Sequence, residues 1–359
     1  MSDLFTPLTL RGTEIPNRVM VSPMCQYSCR PDGLATDWHL VHLGSRAVGG
    51  AGIVMSEAAA VEPRGRISPN DLGIWSRAHA DALAPITGFV RSQGSVPAIQ
   101  LAHAGRKAST YPPADGYGPV HGDDGWTPLG PTDEPWPHDE PLATEALDQA
   151  GIEGVIDAFR EAAEFAHAAG FEIAEVHGAH GYLLHEFYSP VTNAREDDYG
   201  GDFDGRTRLV REVTAAVREV WPDEKPVFVR LSATDWLPDR DAWTIDDTVR
   251  LAGDLAEVGV DLIDVSAGGI HPDQQLPDTG SHYQTPLAEA VREANDVAVG
   301  AVGKITTPEG ADEVIRNGRA DLAIVGREHL RDPYFALHAA DALDRMDDAH
   351  VPVQYRRGF

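Results

Sequence analysis

The chain has 359 residues, 42% of them hydrophobic, and a formal net charge of -28 at pH 7. Such a length and apolar content support a large buried core, in one big α/β domain or two ordinary ones, while so acidic a balance excludes a nucleic-acid surface and docking on anionic lipid. Two cysteines, Cys25 and Cys29, are too few for a disulfide framework or a four-thiolate iron–sulfur cluster.

No uncharged span is long enough for a membrane helix, and residues 1–12 lack the basic and then apolar pattern of an export signal. A soluble, cytoplasmic protein is the expectation. Only Lys107, Lys225 and Lys304 are lysines among the 29 Lys and Arg. An acidic surface so poor in lysine suggests halophilic adaptation, because screening over roughly 3 Å at about 1 M salt removes most self-repulsion.

Short apolar strands alternate with amphipathic helical stretches from end to end. The first strand is expected over 18–23, followed by a helix over 39–48 that Gly49 and Gly50 stop. Strand 51–59 leads to helix 78–92, strand 96–103 to helix 145–169, and strand 171–176 to helix 205–220. Strand 226–232 precedes helix 245–258, strand 261–266 precedes helix 286–294, strand 297–302 precedes helix 308–317, and strand 321–325 precedes helix 335–345. Eight strands and eight helices in alternation make a parallel (β/α)8 TIM barrel of the α/β class.

A doubly wound sheet is the alternative, but it would want a nucleotide-binding turn near its first strand, and none is present. The glycines of 44–52 precede a strand, and Gly303-Lys304 leads into Ile305, so no phosphate-loop pattern is completed. Residues 111–141 break the rhythm with dense Pro, Gly, Asp and Trp. Within a single barrel over 1–359 this stretch is a capping insertion after the third strand, on the face where loops carry function.

In such a barrel the chemistry belongs just past the strand ends. There stand Pro23, Met24, Cys25 and Tyr27, then Ala58, Gln100, the pair His177 and His180 with Tyr182, Arg230, Ser266, Gly303, Gly326 and Arg327. Backbone N–H groups at the glycines after strands seven and eight, with the guanidinium of Arg327, suit a phosphate. The two histidines could ligate a metal, form a structural pair or donate to a substrate oxygen. Their spacing does not match a helical zinc motif, and no metal is expected.

Several segments carry a family likeness: S-P-M-C-Q-Y at 22–27, S-E-A-A-A-V-E-P-R-G-R at 56–66, Q-L-A-H-A-G-R-K-A at 100–108 and E-V-H-G-A-H-G-Y-L-L-H-E-F-Y-S-P at 175–190. To these add N-A-R-E-D-D-Y-G-G at 193–201, V-R-L-S-A-T-D at 229–235, N-G-R-A-D-L-A-I-V-G-R at 317–327 and the terminal Q-Y-R-R-G-F. In this order they resemble the Old Yellow Enzyme family of FMN-dependent ene-reductases, in its thermophilic-like branch.

The resemblance implies a tightly bound, non-covalent FMN, with the backbone around Pro23 and Met24, plus Cys25, Ala58 and Gln100, against its ring. Arg230 would lie at the ring edge where negative charge accumulates, and Gly303, Gly326 and Arg327 would hold the phosphate. NAD(P)H would be the hydride donor, and the substrate a small activated alkene. His177 and His180 would donate to its carbonyl or nitro oxygen, at roughly 3 kcal/mol per well-placed donor, and Tyr182 would protonate the α-carbon. Cys25 and Tyr27 would touch substrate. Arg357 would reach the neighbouring subunit's site in a homodimer or an assembly of dimers, although Phe359 stands where an indole is more usual. A dienoyl-thioester reductase, a non-catalytic flavin-binding barrel and a metal-dependent hydrolase barrel are the alternatives; the first would need further cysteines and a further domain.

Overall fold

A computed structural model describes residues 3–358. Chain order begins with an antiparallel hairpin, β1 (Leu8–Leu10) and β2 (Thr13–Ile15), which alternation alone did not reveal because each strand is three residues long. Then come β3 (Val19–Val21), α1 (Asp37–Val48), β4 (Ile53–Ala60), α2 (Arg77–Ser92) and β5 (Val96–Ala102). Two-residue strands β6 (Leu129–Gly130) and β7 (Glu145–Ala146) pair with each other, ahead of α3 (Gln149–Ala168).

The second half holds β8 (Ile173–Gly178), α4 (Leu183–Tyr188), α5 (Phe203–Val220), β9 (Val227–Ser232), α6 (Ile245–Val258), β10 (Leu262–Ser266) and α7 (Thr285–Ala294). Last are β11 (Ala298–Ala301), α8 (Pro308–Arg316), β12 (Leu322–Val325), α9 (Arg327–Arg331) and α10 (Phe335–Ala342). Strands β3, β4, β5, β8, β9, β10, β11 and β12 are neighbours in that order, all parallel, and β12 returns to β3 to close the barrel. The expected eightfold alternation therefore holds.

One boundary moved. The third helix was expected from 145 but begins at Gln149, because the Asp148 carboxylate accepts the Gly151 N–H and caps the helix, leaving Glu145 and Ala146 to pair as β7.

Period-two alternation sorts the strand residues into two layers. Met20, Ile53, Met55, Ala98, Ile173, Phe228, Leu262, Leu322 and Ile324 fill the lower barrel, and Ile15 of the hairpin is buried against them as a plug. Their alternates, such as Val19, Val54, Ile99, Val176, Val229, Ile263 and Val325, face the helices in the larger core. Moving up the inward face, β5, β8, β9 and β10 change from apolar to polar with Gln100, Glu175, Arg230 and Asp264, all buried. A shift of register between Met55 and Ala58 lets one extra residue into β4, so that Ala58 pairs with Gln100. No helix among the described residues is long and apolar enough to cross a membrane.

Candidate active site

His177 is the upper inward residue of β8 and is 3% exposed. Beyond it the chain turns sharply: His180 and Gly181 both take left-handed backbone, at φ 61° and 70°, before Tyr182 caps α4. Glycine is required at 181 by close approach as well, since a Cβ there would stand 2.1 Å from the Gly269 carbonyl oxygen. The turn brings the three rings together, with His177 5.2 Å from His180 and 5.2 Å from Tyr182 between centroids.

A left-handed histidine needs outside support, and four other elements supply it. The His180 N–H donates to Ser232 Oγ at 2.9 Å, and Ser266 Oγ lies 2.7 Å from His180 Nε2. Lys107 Nζ donates to the carbonyl oxygens of His180 and Gly269, each at 2.8 Å. From below, His185 Nδ1 accepts the Gly181 N–H at 2.8 Å, so its Nε2–H donates to Asp235 Oδ1, also at 2.8 Å. Asp235 further accepts from Ser189 Oγ and the Trp243 N–H.

Exchanging His185 for Phe leaves the buried Gly181 N–H and the Asp235 carboxylate each one partner short. Denaturant unfolding should show a loss of about 1–3 kcal/mol. Stability equal to that of wild type would show that the turn holds without this support.

Burial sets the protonation states. His177 and His180 are held well below the ordinary histidine range, first by desolvation and then by the Arg230 charge, so both rings are neutral at pH 7 and each has one N–H to donate. His177 Nδ1 is buried with no partner in the protein. Tyr182 is pushed well above the phenol range, by burial first, and keeps its proton. Lys107 is pushed down to about 8 by burial. The half-buried Cys25 is pushed well up, again by burial first, and stays a thiol.

Below the rings lies a buried charge cluster. Arg230 Nε is 3.2 Å from Asp264 Oδ2, and Gln100 Nε2 donates to Glu175 Oε1 at 2.7 Å. Two buried carboxyls share one guanidinium, and burial raises both. Arg230 Nη1 also reaches within 3.5 Å of Ser22 Oγ, beside Pro23 and Met24. Ala58 and Tyr182 line one small recess together. Tyr27 is half-buried at φ 52°, and the adjacent Gln26 N–H donates to Glu57, whose other oxygen is 3.0 Å from His39 Nε2.

Gly303, Gly326 and Arg327 line a cavity of about 280 Å³ at the ends of β11 and β12, with Lys304, Tyr283 and Gln284. A Cβ at Gly326 would meet nothing closer than Ser22 Cβ at 3.7 Å, so the first and eighth strand ends flank the same space. Glycine backbone and cationic side chains lining a cavity are what a phosphate needs, and the polar floor and orphaned His177 Nδ1 suit a ring with heteroatoms at its edge. The expected cofactor fits these residues.

Of the residues singled out in the sequence, Arg357 is not among those lining these cavities and is exposed on the C-terminal tail, and Phe359 lies outside the described residues. Sequence reasoning did not assign roles to Lys107, Ser232, Ser266, His185 and Asp235. A signal existed for Lys107 as one of only three lysines in the chain, and for Ser266 in its place just past a strand end. No group of three or more potential metal ligands occurs among the described residues.

Comparison with known proteins agrees with this geometry. The model of the NADH:flavin oxidoreductase / NADH oxidase family matches residues 3–345. The chain is 44% identical over 357 residues to an NADPH dehydrogenase of Geobacillus sp. (strain WCH70), covering 99% of this chain and 98% of that protein. It is 43% identical over 359 residues to an NADPH dehydrogenase of Bacillus subtilis, covering 99% of each. Among solved structures, morphinone reductase in complex with tetrahydroNAD superposes with a TM-score of 0.77 at 27% identity, over 96% of this chain and 92% of that one. An old yellow enzyme homologue from Zymomonas mobilis gives 0.78 at 25% identity, over 96% and 93%.

Proposed function

The chain belongs to the NADH:flavin oxidoreductase / NADH oxidase family, and from that premise we propose that His177, His180 and Tyr182 are the residues that carry its reaction. The protein is an FMN-dependent NAD(P)H oxidoreductase that reduces the C=C bond of α,β-unsaturated carbonyl or nitro compounds. FMN, when bound, would supply the redox chemistry by which hydride passes between NAD(P)H and the alkene. Gly303, Gly326 and Arg327 would hold its phosphate, while Pro23, Met24, Cys25, Ala58 and Gln100 would line its ring and Arg230 would stand at the edge where negative charge gathers.

One observation carries the assignment: two neutral, buried imidazoles stand beside a protonated phenol on one turn. His177 and His180 each donate one N–H to the carbonyl or nitro oxygen, which makes the β-carbon electrophilic and stabilises the developing enolate. Tyr182 then gives its proton to the α-carbon. Cys25 and Tyr27 flank the substrate.

The test is anaerobic and spectroscopic. NADPH should bleach the yellow protein, and cyclohex-2-enone should restore its colour. Tyr182→Phe should leave the NADPH step within a few-fold of wild type and slow the enone step by about 10²–10⁴-fold; equal slowing of both steps would refute the role of Tyr182.

The 111–141 segment caps the mouth of a single barrel, and the exposed Arg357 reaches the neighbouring site in a homodimer or an assembly of dimers. Light scattering of wild type and Arg357→Ala, with enone kinetics on each, examines the second point. The protein works in the cytoplasm on a small-molecule substrate, and its acidic, lysine-poor surface is suited to high salt. Its melting temperature should rise with potassium chloride concentration; greatest stability at low salt would count against salt adaptation.

A further inference from the structure

A second chamber, of about 390 Å³, opens directly on the catalytic turn. Ile67, Lys107 and Thr110 form one side, Tyr117, Trp136 and His138 of the 111–141 segment form the other, and Tyr182 is shared with the reacting centre. Its volume lies within the range of small-molecule pockets, ~300–1,000 Å³.

The chamber is tied to the chemistry through one side chain. Lys107 Nζ lies 4.3 Å from the centroid of the Trp136 ring and 5.2 Å from that of Tyr182, while its N–H groups go to the His180 and Gly269 carbonyls. Trp136 is also held under the Arg106 guanidinium at 5.4 Å. Below pH of about 8 the ammonium is charged, and it is already engaged by two carbonyls and two ring faces. An aromatic wall therefore stands at a defined distance from the proton donor. Beside Thr110 and His138, the remaining lining is Ile67, Tyr117 and the free surface of Trp136, and these three are what an apolar ring would meet.

We propose that this chamber receives the substituent on the alkene and makes the enzyme selective for aryl-substituted enones over small cyclic ones, with Trp136 as the specificity-determining wall. The proposal rests on the ene-reductase function given above. A ring attached to the β-carbon projects past Tyr182 under the capping segment and packs against Trp136 and Tyr117. A compact ring such as cyclohexenone remains on the histidine pair and reaches neither.

The test compares 4-phenylbut-3-en-2-one with cyclohex-2-enone. In Trp136→Ala, kcat/KM for the aryl enone should fall about 10- to 30-fold, as for loss of an aromatic anchor, while that for cyclohexenone stays within about twofold. Calorimetric binding of 4-phenylbutan-2-one, which has no reducible C=C bond, to the oxidised holoenzyme should weaken by a similar factor. Equal loss for both enones, or no loss for the aryl enone, overturns the proposal. Should Trp136→Ala not fold, Trp136→Phe and Tyr117→Ala carry the same comparison: the first should retain aryl selectivity and the second should lose it. A wild type that is bleached by NADPH but reoxidised by neither enone would fail the function itself; one that reduces both without discrimination fails only this inference.

Discussion

Replacing His177 and His180 together with alanine should lower kcat/KM for an enone by at least about 10³-fold, since one well-placed donor to a developing oxyanion contributes roughly 10²–10³. FMN content should be nearly unchanged, because the cavity proposed for its phosphate is lined by Gly303, Gly326 and Arg327, which follow other strands. Stopped-flow measurement of the enone step, alongside flavin content, separates the two. Loss of flavin in proportion to activity would show that the histidines hold the cofactor and not the substrate oxygen.

The same variant changes the acid limb of stability. Both imidazoles are held below their ordinary values by burial. The unfolded chain therefore takes up protons near pH 6.5 that the folded chain refuses, and wild-type stability falls as pH drops through that range. Removing both rings should flatten the fall. The enone step of the wild type should show no titration near pH 6.5, because the rings are neutral on both sides of it.

Arg230→Met should have the largest effect on stability. Among the described residues its side chain is the cation placed against Asp264 and Glu175 in the barrel floor, and both carboxyls are 0% exposed. Removing one partner of a buried charge cluster costs about 3–5 kcal/mol, because the remaining charge has lost both water and counter-ion. The two carboxyls would then have to stay protonated. Groups whose folded pKa lies above the unfolded value contribute stability at low pH and lose it as pH rises through the folded value, so the deficit should widen between pH 5 and 9 in thermal melts.

A triple variant adding Glu175→Gln and Asp264→Asn removes the uncompensated charges and should regain most of the stability, while enone turnover stays low because the fixed cation is still missing. A deficit in Arg230→Met that is independent of pH would show that the cost is packing and not charge.

Much of this site is visible in the sequence, and for identifiable reasons. His177 stands at the end of an apolar run because β8 alternates in and out with a period of two, so an inward position near a strand end can be read from its neighbours. The glycines at 303 and 326 are readable in the same way, each following a short apolar strand. By contrast, Ala58 acquires its place beside Gln100 through one extra residue in β4, and no local pattern announces a bulge. The hairpin that plugs the barrel and the short helix after Tyr182 are likewise too brief for periodicity to register.

The support of the turn that carries His180 shows where sequence ends and tertiary structure begins. Lys107 meets the His180 carbonyl across 73 positions of chain and the Gly269 carbonyl across 162; Ser266 meets His180 across 86, and Asp235 meets His185 across 50. By itself, the sequence determined the alternation of strands and helices, hence a closed parallel barrel, and the placing of His177, His180, Tyr182 and the two glycines at its upper rim, because those properties follow from the period of a few adjacent residues. Only the tertiary structure decided which distant hydroxyls, carboxylates and ammonium hold that turn in a left-handed conformation, and that Trp136 lines one cavity with Tyr182 on either side of Lys107. Those contacts exist only once β12 has returned to β3 and the barrel has closed.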